Sequence, residues 1–328
     1  MKTHLLNAGG TIASTKTGSG RDSTMTVEEL VEYVPKLNKF DIETKDVFIK
    51  DSSNIKPADW PVIAEKVDEA FKENAEGIVI AHGTDTMAYS ASALSFMSSL
   101  DIPVIFTGGQ KSIGEKETDA KDNLYNSVLA AQQLPPSVYL VFDNSIFLGC
   151  TTTKIDSIGY HAFETNWKPV GKISGENIKL DSDAVNKIKG LDFENNEMDI
   201  NIDTSVGLLK IYPGFDTQLI DAVLSDKRGL IVEGLGAGNC PVGYTDIVDK
   251  IKYWSKQEKI IGIVTQCPFG ASTGEYAAGK EIIDAGAISL GKMTTEAAFT
   301  KLSFLISHYD KPNKIKEEML RNYRGELF

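Results

Sequence analysis

The sequence predicts an α/β protein with two domains whose sheets are mostly parallel. Its 328 residues are about twice the roughly 150 residues of a typical domain. Hydrophobic residues make up 41% and charged residues 24%, a balance typical of a globular protein with a large core. Short β-branched runs alternate with helical patterns along most of the chain. Repeated βα units of this kind imply a parallel sheet with helices on both faces.

The larger domain is predicted over residues 1–185, with a flavodoxin/Rossmann-like sheet. Its first helix is marked by apolar residues that recur at helical spacing from Trp60 to Phe71, with Asp59 as a candidate N-cap. Further helices are predicted at 87–100 and 122–133. The predicted strands cover residues 4–8, 77–81, 102–107, 138–143 and 146–150.

The chain loses its periodicity and becomes polar and acidic over residues 181–203, which predicts a linker at 186–205. A smaller C-terminal α/β domain is predicted beyond it, over residues 206–328. Its predicted strands cover 206–212, 229–235 and 260–265, and its predicted helices cover 216–225, 247–255, 275–285 and 295–308.

Charge and cysteine usage narrow the class of protein. The net charge of −12 repels nucleic-acid phosphates and anionic membrane surfaces, so we expect neither as a partner. Cys150, Cys240 and Cys267 stand far apart without a CxxC pair, which favours thiols in a reducing compartment. No apolar run marks an export signal or a membrane span, so a cytoplasmic protein is expected. Cys267 is predicted to be a packed thiol.

Polar and glycine-rich segments follow the predicted strands 4–8, 77–81 and 102–107, and a fourth such segment marks a further strand end near residue 50. Ligands of parallel α/β sheets bind outside the carboxyl ends of the strands, so these segments are candidate site elements. They are Gly9-Gly10-Thr11, Asp51-Ser52-Ser53, His82-Gly83-Thr84-Asp85-Thr86 and Thr107-Gly108-Gly109-Gln110.

Residues of these segments have a chemical and a structural interpretation. Thr11 could be a nucleophile, or it could cap a helix after a plain glycine turn. Thr84 and Asp85 could act together, or one of them could be an N-cap, while His82 is expected to be a half-buried structural histidine. Lys154 could be a desolvated base or a surface lysine.

Several known chemistries lack their sequence signature. GxGxxG is missing, which excludes a nicotinamide dinucleotide site of the usual kind, and GxSxG is missing, which argues against a Ser-His-Asp triad. His82 has no second histidine nearby and the chain has no HExxH. We therefore predict neither a cofactor nor a metal.

Taken together, in this order and at these separations, the motifs resemble those of the asparaginase family over nearly the whole chain. The block His82 to Tyr89 is the most specific of them, and the stretch 87–97 is similar to the cytoplasmic type I branch. The other carriers are Gly9-Gly10-Thr11-Ile12-Ala13-Ser14, Asp51-Ser52-Ser53 ahead of Pro57-Ala58-Asp59-Trp60, Thr152-Thr153-Lys154 and Arg324-Gly325-Glu326-Leu327.

The resemblance implies hydrolysis of L-asparagine to L-aspartate and ammonia. Thr11 would be the nucleophile that forms an acyl-enzyme, and Thr84, Asp85 and Lys154 would form a second catalytic group. Ser52 would hold the substrate α-carboxylate and Asp85 its α-amine, with backbone N–H groups near Thr84 facing the oxyanion. The implied substrate-binding set is Asp51, Ser52, Ser53, Gly83, Thr84 and Asp85.

One departure from the family concerns the loop predicted over residues 14–26, which would act as a mobile lid. The family usually carries a tyrosine there that activates the nucleophile, but Arg21 stands at that position. Arginine cannot accept the threonine proton at neutral pH. The departure leaves three alternatives: another residue takes the role of the tyrosine, the activity is reduced, or the substrate differs. Asparaginases also rarely show the paired glycines before Gln110, to which no role is assigned.

Two other functions remain open. The first is the amidase subunit of an archaeal-type glutamyl-tRNA(Gln) amidotransferase, which shares the motifs but normally carries an extra N-terminal domain, whereas here the glycines begin at Gly9. The second is a non-catalytic amino-acid-binding protein, motivated by Arg21. The resemblance also implies a homodimer or homotetramer, with an amino-acid amide as the small-molecule ligand.

Overall fold

The computed structural model describes residues 1–17, 20–191, 197–274 and 276–328, without the side chains of 16–17 and 20–23. It divides into two compact units, Met1–Ile200 and Asn201–Phe328, each with its own sheet. The predicted α/β class with mostly parallel sheets is confirmed. Within the described ranges, no helix has both the length and the apolar character needed to cross a bilayer.

The first unit is built around one mixed sheet of eight strands in the order β12-β11-β8-β7-β6-β5-β1-β4. The strands from β7 to β4 in that order run parallel, while β8, β11 and β12 extend the sheet with antiparallel pairs. The strands of this unit are β1 (Lys2–Gly9), β2 (Ser14–Thr17), β3 (Gly20–Ser23), β4 (Asp41–Lys50), β5 (Gly77–Ala81), β6 (Pro103–Thr107), β7 (Ser137–Phe142), β8 (Ser145–Leu148), β9 (Thr152–Lys154), β10 (Phe163–Thr165), β11 (Gly171–Ser174) and β12 (Asn177–Leu180).

Helices cover this sheet and exclude solvent from its central strands. Every residue of β5, β6 and β7 is buried, as their continuous apolar runs predict. The helix α3 is buried nearly all round because small residues such as Ala91 and Ser92 let it pack closely. The helices of the unit are α1 (Val27–Glu32), α2 (Trp60–Lys72), α3 (Met87–Met97), α4 (Ala120–Ala131) and α5 (Ser182–Lys189).

Two predicted features of this unit are wrong. Residues of the segment predicted to be aperiodic form α5, which is capped by Asp181, whose carboxylate accepts from the Ala184 N–H at 2.8 Å, while the linker at 186–205 stays a prediction. Its polar sequence hides the helix because only Ala184 and Ile188 need to be buried. Asp59 precedes α2 but does not cap it, because its carboxylate instead accepts from Lys50 Nζ at 2.7 Å and the Lys56 N–H at 3.0 Å. Residues 192–196 lie outside the described residues.

The second unit is a four-stranded parallel sheet in the order β13-β14-β15-β16, with apolar clusters on both faces. The predicted strand 260–265 and helix 295–308 coincide with β15 and α9, whereas α10 and β16 were not predicted. The elements are β13 (Val206–Lys210), α6 (Gln218–Leu224), β14 (Gly229–Gly234), α7 (Ile247–Lys256), β15 (Ile260–Thr265), α8 (Ala277–Asp284), β16 (Ile288–Ser289), α9 (Thr295–His308) and α10 (Pro312–Met319).

The C-terminal segment is held by a buried ion pair between Lys301 of α9 and Glu326. Both side chains are 0% exposed, with Lys301 Nζ at 2.5 Å from Glu326 Oε1. The same carboxylate accepts from the backbone N–H groups of Tyr323, at 3.0 Å, and Arg324, at 2.7 Å. The closing motif therefore has a structural role, because each buried charge is matched by a partner.

The three cysteines differ in burial. Cys150 and Cys240 are buried, and burial raises the pKa of the Cys240 thiol to about 12. Cys267 is exposed, so its prediction as a packed thiol is wrong. The Cys267 N–H donates to Thr265 Oγ1 at 3.0 Å, which fixes the backbone just past the end of β15, outside the buried strand.

Candidate active site

The four polar segments meet along one edge of the first sheet. The strands β6, β5, β1 and β4 are neighbours and run parallel, so their carboxyl ends lie side by side. This is the edge at which ligands of parallel α/β sheets bind. The four candidate segments therefore lie at one end of this sheet, whereas their role in ligand binding stays a prediction.

Two glycines let the motifs that follow β1 and β5 touch. A Cβ atom on Gly10 would lie 2.1 Å from the Cα atom of Gly83, and one on Gly83 would lie 2.4 Å from Ser52 Oγ. Real Cβ atoms do not approach that closely, so both positions need glycine. Thr11 follows Gly10 and Thr84 follows Gly83, so the close approach of the two glycines brings the two threonines near each other. Thr11 begins a short 3-10 turn and is half-buried.

Lys154 joins this edge from β9. Its ammonium group donates to Thr84 Oγ1 at 2.8 Å and to Asp85 Oδ1 at 2.7 Å. The lysine side chain is 18% exposed, whereas the Asp85 side chain is 60% exposed. The interpretation of Lys154 as a surface lysine is therefore wrong, and the predicted group of Thr84, Asp85 and Lys154 is assembled.

Ser52 lies beneath this group and is almost fully buried. Ser52 Oγ accepts from the Asp85 N–H at 3.3 Å, and the Ser52 carbonyl accepts from Thr86 Oγ1 at 2.8 Å. The Ser52 hydroxyl hydrogen is a donor in addition to these bonds. Because the Asp85 N–H already donates to Ser52, it is engaged rather than directed at an oxyanion.

Asp51 and Ser53, by contrast, are exposed and bind each other. Asp51 Oδ1 accepts from the Ser53 N–H at 2.8 Å and from Ser53 Oγ at 2.6 Å. These bonds cap the 3-10 turn Ser52–Asn54. Their geometry accounts for how Ser52 is presented at the strand end, whereas direct substrate contact by Asp51 or Ser53 stays a prediction.

His82 is fully buried rather than half-buried. Its Nδ1–H donates to the Gly83 carbonyl at 2.7 Å, while burial lowers its pKa to about 4. Its Nε2 atom has no hydrogen-bond partner among the described residues. The ring is therefore neutral at pH 7 and holds the turn before Thr84, in line with the structural role predicted for it.

Gln110 lies in one of the four candidate segments, but the sequence predicts no role for it. Thr84 Oγ1 donates to Gln110 Oε1 at 3.3 Å, and Gln110 Nε2 donates to the Gly159 carbonyl at 3.0 Å. The Gln110 N–H is itself held by Asp119 Oδ2 at 2.8 Å. The sequence signal that could have indicated a role for Gln110 was its position just after β6, because the ends of β1, β4 and β5 each carry a predicted site residue.

Family models match most of the chain. The model for the N-terminal domain of asparaginase matches residues 2–186, and the model for the glutaminase/asparaginase C-terminal domain matches residues 205–319. The chain belongs to the asparaginase family. It is accordingly an amidohydrolase.

Relatives within the family carry two different names. L-asparaginase of Thermococcus kodakarensis is 32% identical over 333 residues, covering 100% of this chain and 99% of the relative. A glutamyl-tRNA(Gln) amidotransferase subunit of Saccharolobus islandicus is 35% identical over 343 residues, covering 98% of this chain and 75% of the relative.

Solved structures agree with the fold. The thermostable L-asparaginase from Thermococcus kodakarensis superposes with a TM-score of 0.91 at 33% identity, covering 100% of this chain and 99% of that one. L-asparaginase I from Vibrio cholerae gives a TM-score of 0.86 at 30% identity, with 100% and 99% covered.

The segment in which the asparaginase family is expected to carry a tyrosine forms a hairpin. The backbones of β2 and β3 pair antiparallel, with Lys16 opposite Arg21. The hairpin is anchored at its base, where the N–H groups of Thr24 and Met25 both donate to the Ala13 carbonyl at 3.0 Å. The side chain of Arg21 lies outside the described residues, so the consequence of the missing tyrosine stays a prediction.

Proposed function

We propose that this chain hydrolyses the side-chain amide of L-asparagine to L-aspartate and ammonia through an acyl-enzyme on Thr11. The observation that carries the proposal is the ammonium group of Lys154, which binds both the Thr84 hydroxyl and the Asp85 carboxylate. This group lies at the strand edge from which Thr11 projects after Gly10. Membership of an amidohydrolase family supports the reaction class.

Charge and hydrogen-bonding capacity suit the ends of an amino acid. Asp85 presents a carboxylate that is 60% exposed and can accept from the α-ammonium group of the substrate. Ser52 has a hydroxyl hydrogen to donate to the α-carboxylate. With both ends held, the side-chain amide reaches the threonines, and this positioning supplies much of the catalytic effect.

The reaction proceeds in two balanced steps. Thr11 Oγ1 bonds to the amide carbon, the carbon–nitrogen bond breaks, and the hydroxyl proton of Thr11 ends on the departing nitrogen as ammonia. Water then attacks the ester, giving one proton back to Thr11 Oγ1 and its hydroxyl to aspartate. The sum consumes one water and releases one ammonia.

Lys154 and Thr84 serve the proton transfers of this scheme. Because Lys154 Nζ donates to Thr84 Oγ1, the Thr84 hydroxyl hydrogen points away from the lysine, towards Gln110 Oε1. A water bound beside Thr84 can exchange protons through this hydroxyl, with the positive charge of Lys154 stabilising the negative charge that develops on oxygen.

A second candidate is an amidase subunit that passes ammonia to a partner. The 35% identity to the glutamyl-tRNA(Gln) amidotransferase subunit of Saccharolobus islandicus favours it. Both candidates share the threonine chemistry and differ in whether free amino-acid amide is hydrolysed without a partner. The negative net charge of −12 weighs against a complex with tRNA.

The test is ammonia release by the purified chain from L-asparagine and, in parallel, from L-glutamine. We expect release from asparagine without any partner, loss of it in Thr11→Ala, and partial retention in Thr11→Ser, which keeps a hydroxyl. Thr44→Ala is the matched control, because Thr44 lies in the middle of β4 and donates to Glu28.

Three other results would each reject the proposal. Release from glutamine alone would change the substrate, and release only with an added partner protein and tRNA would favour the amidotransferase. Binding of asparagine in calorimetry without ammonia over hours would indicate a binding protein. The relative turnover of the two amides is informative because one methylene alone discriminates by only about 1 to 3 kcal/mol.

We further propose that the protein works in the cytoplasm as a homodimer or homotetramer. The second unit exposes large aromatic side chains, among them Tyr244 at 67% and Tyr276 at 62%, which supports burial against another copy. Light scattering of the purified chain tests this assembly, and a monomer at micromolar concentration would contradict it.

A further inference from the structure

A histidine and two glutamates come together on the first sheet, away from the strand edge described above. His4 lies on β1, Glu43 lies opposite it on β4, and Glu73 directly follows α2. One ring nitrogen and one oxygen of each carboxylate all lie within 4.8 Å of one another. Both glutamates are about half exposed, so the cluster can be reached from solvent.

His4 carries a nitrogen that no hydrogen bond uses. The side chain is 2% exposed, and its Nε2 atom hydrogen-bonds to no group among the described residues. That atom lies 3.2 Å from Glu43 Oε2, while Nδ1 lies 3.9 Å from Glu73 Oε2. Because this buried nitrogen lies beside the Glu43 oxygen without forming a hydrogen bond, the pair is left unsatisfied, which points to a ligand shared between them.

The separation of His4 Nε2 and Glu43 Oε2 suits two ligands of one metal ion, whereas Glu73 lies nearest to the other ring nitrogen and must shift to join them. Two ligands about 2.05 Å from a tetrahedral ion are about 3.3 Å apart, close to the separation of His4 Nε2 and Glu43 Oε2. A neutral imidazole is the form of histidine that binds a metal ion.

Each glutamate divides its two oxygens between a lysine and the histidine. Lys2 Nζ lies 2.8 Å from Glu43 Oε1, and Lys45 Nζ lies 3.3 Å from Glu73 Oε1. These contacts orient the carboxylates so that each Oε2 atom faces His4. The ammonium groups also oppose a cation, so we expect a dissociation constant on the order of micromolar rather than nanomolar.

We propose that His4, Glu43 and Glu73 form a binding site for a divalent transition-metal ion of the zinc type. One nitrogen and two carboxylate oxygens are ligands that zinc accepts, with water completing the shell. The ion would tie β1, β4 and the end of α2 together. His4 precedes Gly9 by five residues, or about 17 Å of strand, so the site is structural and separate from the amide chemistry.

The sequence predicts no metal because the three ligands do not form a local motif. They are separated by 39 and 30 residues, and only the register of β1 with β4 and the end of α2 bring them together. Short spacings on one helix or loop are what sequence inspection detects.

The experiment is titration calorimetry of chelator-treated full-length protein with zinc chloride, with magnesium chloride as a second arm. We expect one zinc site and no magnesium binding, since magnesium prefers oxygen ligands alone. Glu43→Gln with Glu73→Gln should weaken zinc binding at least about 10-fold and leave ammonia release unchanged. Glu69→Gln is the matched control, because Glu69 also binds Lys45, at 3.1 Å, but lies outside the trio.

Imidazole NMR of histidine-labelled protein locates the ion among the four histidines. We expect zinc to shift the His4 signal and to raise the melting temperature in a concentration-dependent way. Equal zinc affinity in the double variant, or a shift of His161 in place of His4, would overturn the proposal. So would the absence of zinc binding by the unaltered chain.

Discussion

Lys154 in the first unit and Lys301 in the second are both withdrawn from solvent, yet their partners differ. Lys154 is 18% exposed and donates to the Thr84 hydroxyl and the Asp85 carboxylate. Lys301 is 0% exposed and donates to Glu326 and to the carbonyls of Met319 and Arg321.

The difference teaches that burial of a lysine does not by itself indicate chemistry. An ammonium group has three N–H donors, and Lys301 directs them to as many fixed acceptors, so it is a structural clamp. Lys154 contacts the buried Thr84 hydroxyl and the exposed Asp85 carboxylate, and among the described residues only these two side chains accept from its ammonium group. The type of partner distinguishes a candidate catalytic lysine from a structural one.

Removing the Lys154 ammonium group has the largest expected effect. In Lys154→Met we expect ammonia release to fall about 1,000-fold, within the range of a proton-transfer group, with little loss of stability. Steady-state kinetics and denaturant unfolding of the same preparation measure both. Lys154→Arg is the control, because it keeps the positive charge but replaces the compact ammonium group with a planar guanidinium group. Full activity in Lys154→Met would contradict a role for the lysine in the mechanism.

The corresponding change at Lys301 should act on stability. Lys301→Met leaves Glu326 buried without its partner, and we expect the free energy of unfolding to fall by about 3 to 5 kcal/mol. Denaturant unfolding followed by circular dichroism measures the loss. The double variant with Glu326→Gln should recover part of it, and a stability equal to that of the unaltered chain would contradict the clamp.

His82 extends the comparison to a buried group without an anionic partner. Burial lowers its pKa to about 4. Between pH 4 and the usual pKa of histidine, the unfolded chain therefore binds the proton more tightly than the folded chain does, and the free energy of unfolding falls as the pH falls. From pH 7 to pH 5 this histidine should cost about 2 kcal/mol of unfolding free energy.

The measurement for His82 is the free energy of unfolding at both pH values for the unaltered chain and for His82→Asn. The difference between the two pH dependences isolates this residue from His161, whose pKa is raised by Glu164 and Asp143 and whose contribution has the opposite sign. Identical pH dependence in the two proteins would show that His82 is not the group that titrates.

The smallest expected effect concerns Gln110, which positions the Thr84 hydroxyl. Gln110→Leu removes the 3.3 Å hydrogen bond from Thr84, worth about 0.5 to 1.5 kcal/mol, together with the bonds from Gln110 Nε2 to backbone carbonyls that hold the side chain, so we expect kcat to fall about 3- to 10-fold with KM little changed. Gln110→Glu keeps the acceptor and should restore part of the rate. A change in KM alone would indicate a substrate contact in place of positioning.

The order of elements could be read from the sequence where periodicity was strong. The strand β15 and the helix α9 coincide with their predicted ranges because each is a continuous apolar or amphipathic run. The helix α5 could not be read, because two buried residues among polar ones leave almost no pattern. Strand ends marked the right edge of the sheet because glycines and hydroxyls cluster there.

The pairing of side chains needed the fold. Lys154 lies 70 residues from Thr84 in sequence, and nothing local distinguishes it from a surface lysine. The partners of Gln110 and the trio around His4 likewise depend on strand register. Motifs indicated which residue types were present, whereas contacts between distant segments decide what each can do.

The central claim, a covalent intermediate on Thr11, is tested most directly by trapping with hydroxylamine. During asparagine turnover, we predict that the unaltered chain and Thr11→Ser form aspartyl hydroxamate beside aspartate, because hydroxylamine competes with water for the ester. We predict that Thr11→Ala forms neither product. Ammonia release without any hydroxamate, or release that persists in Thr11→Ala, would contradict the account.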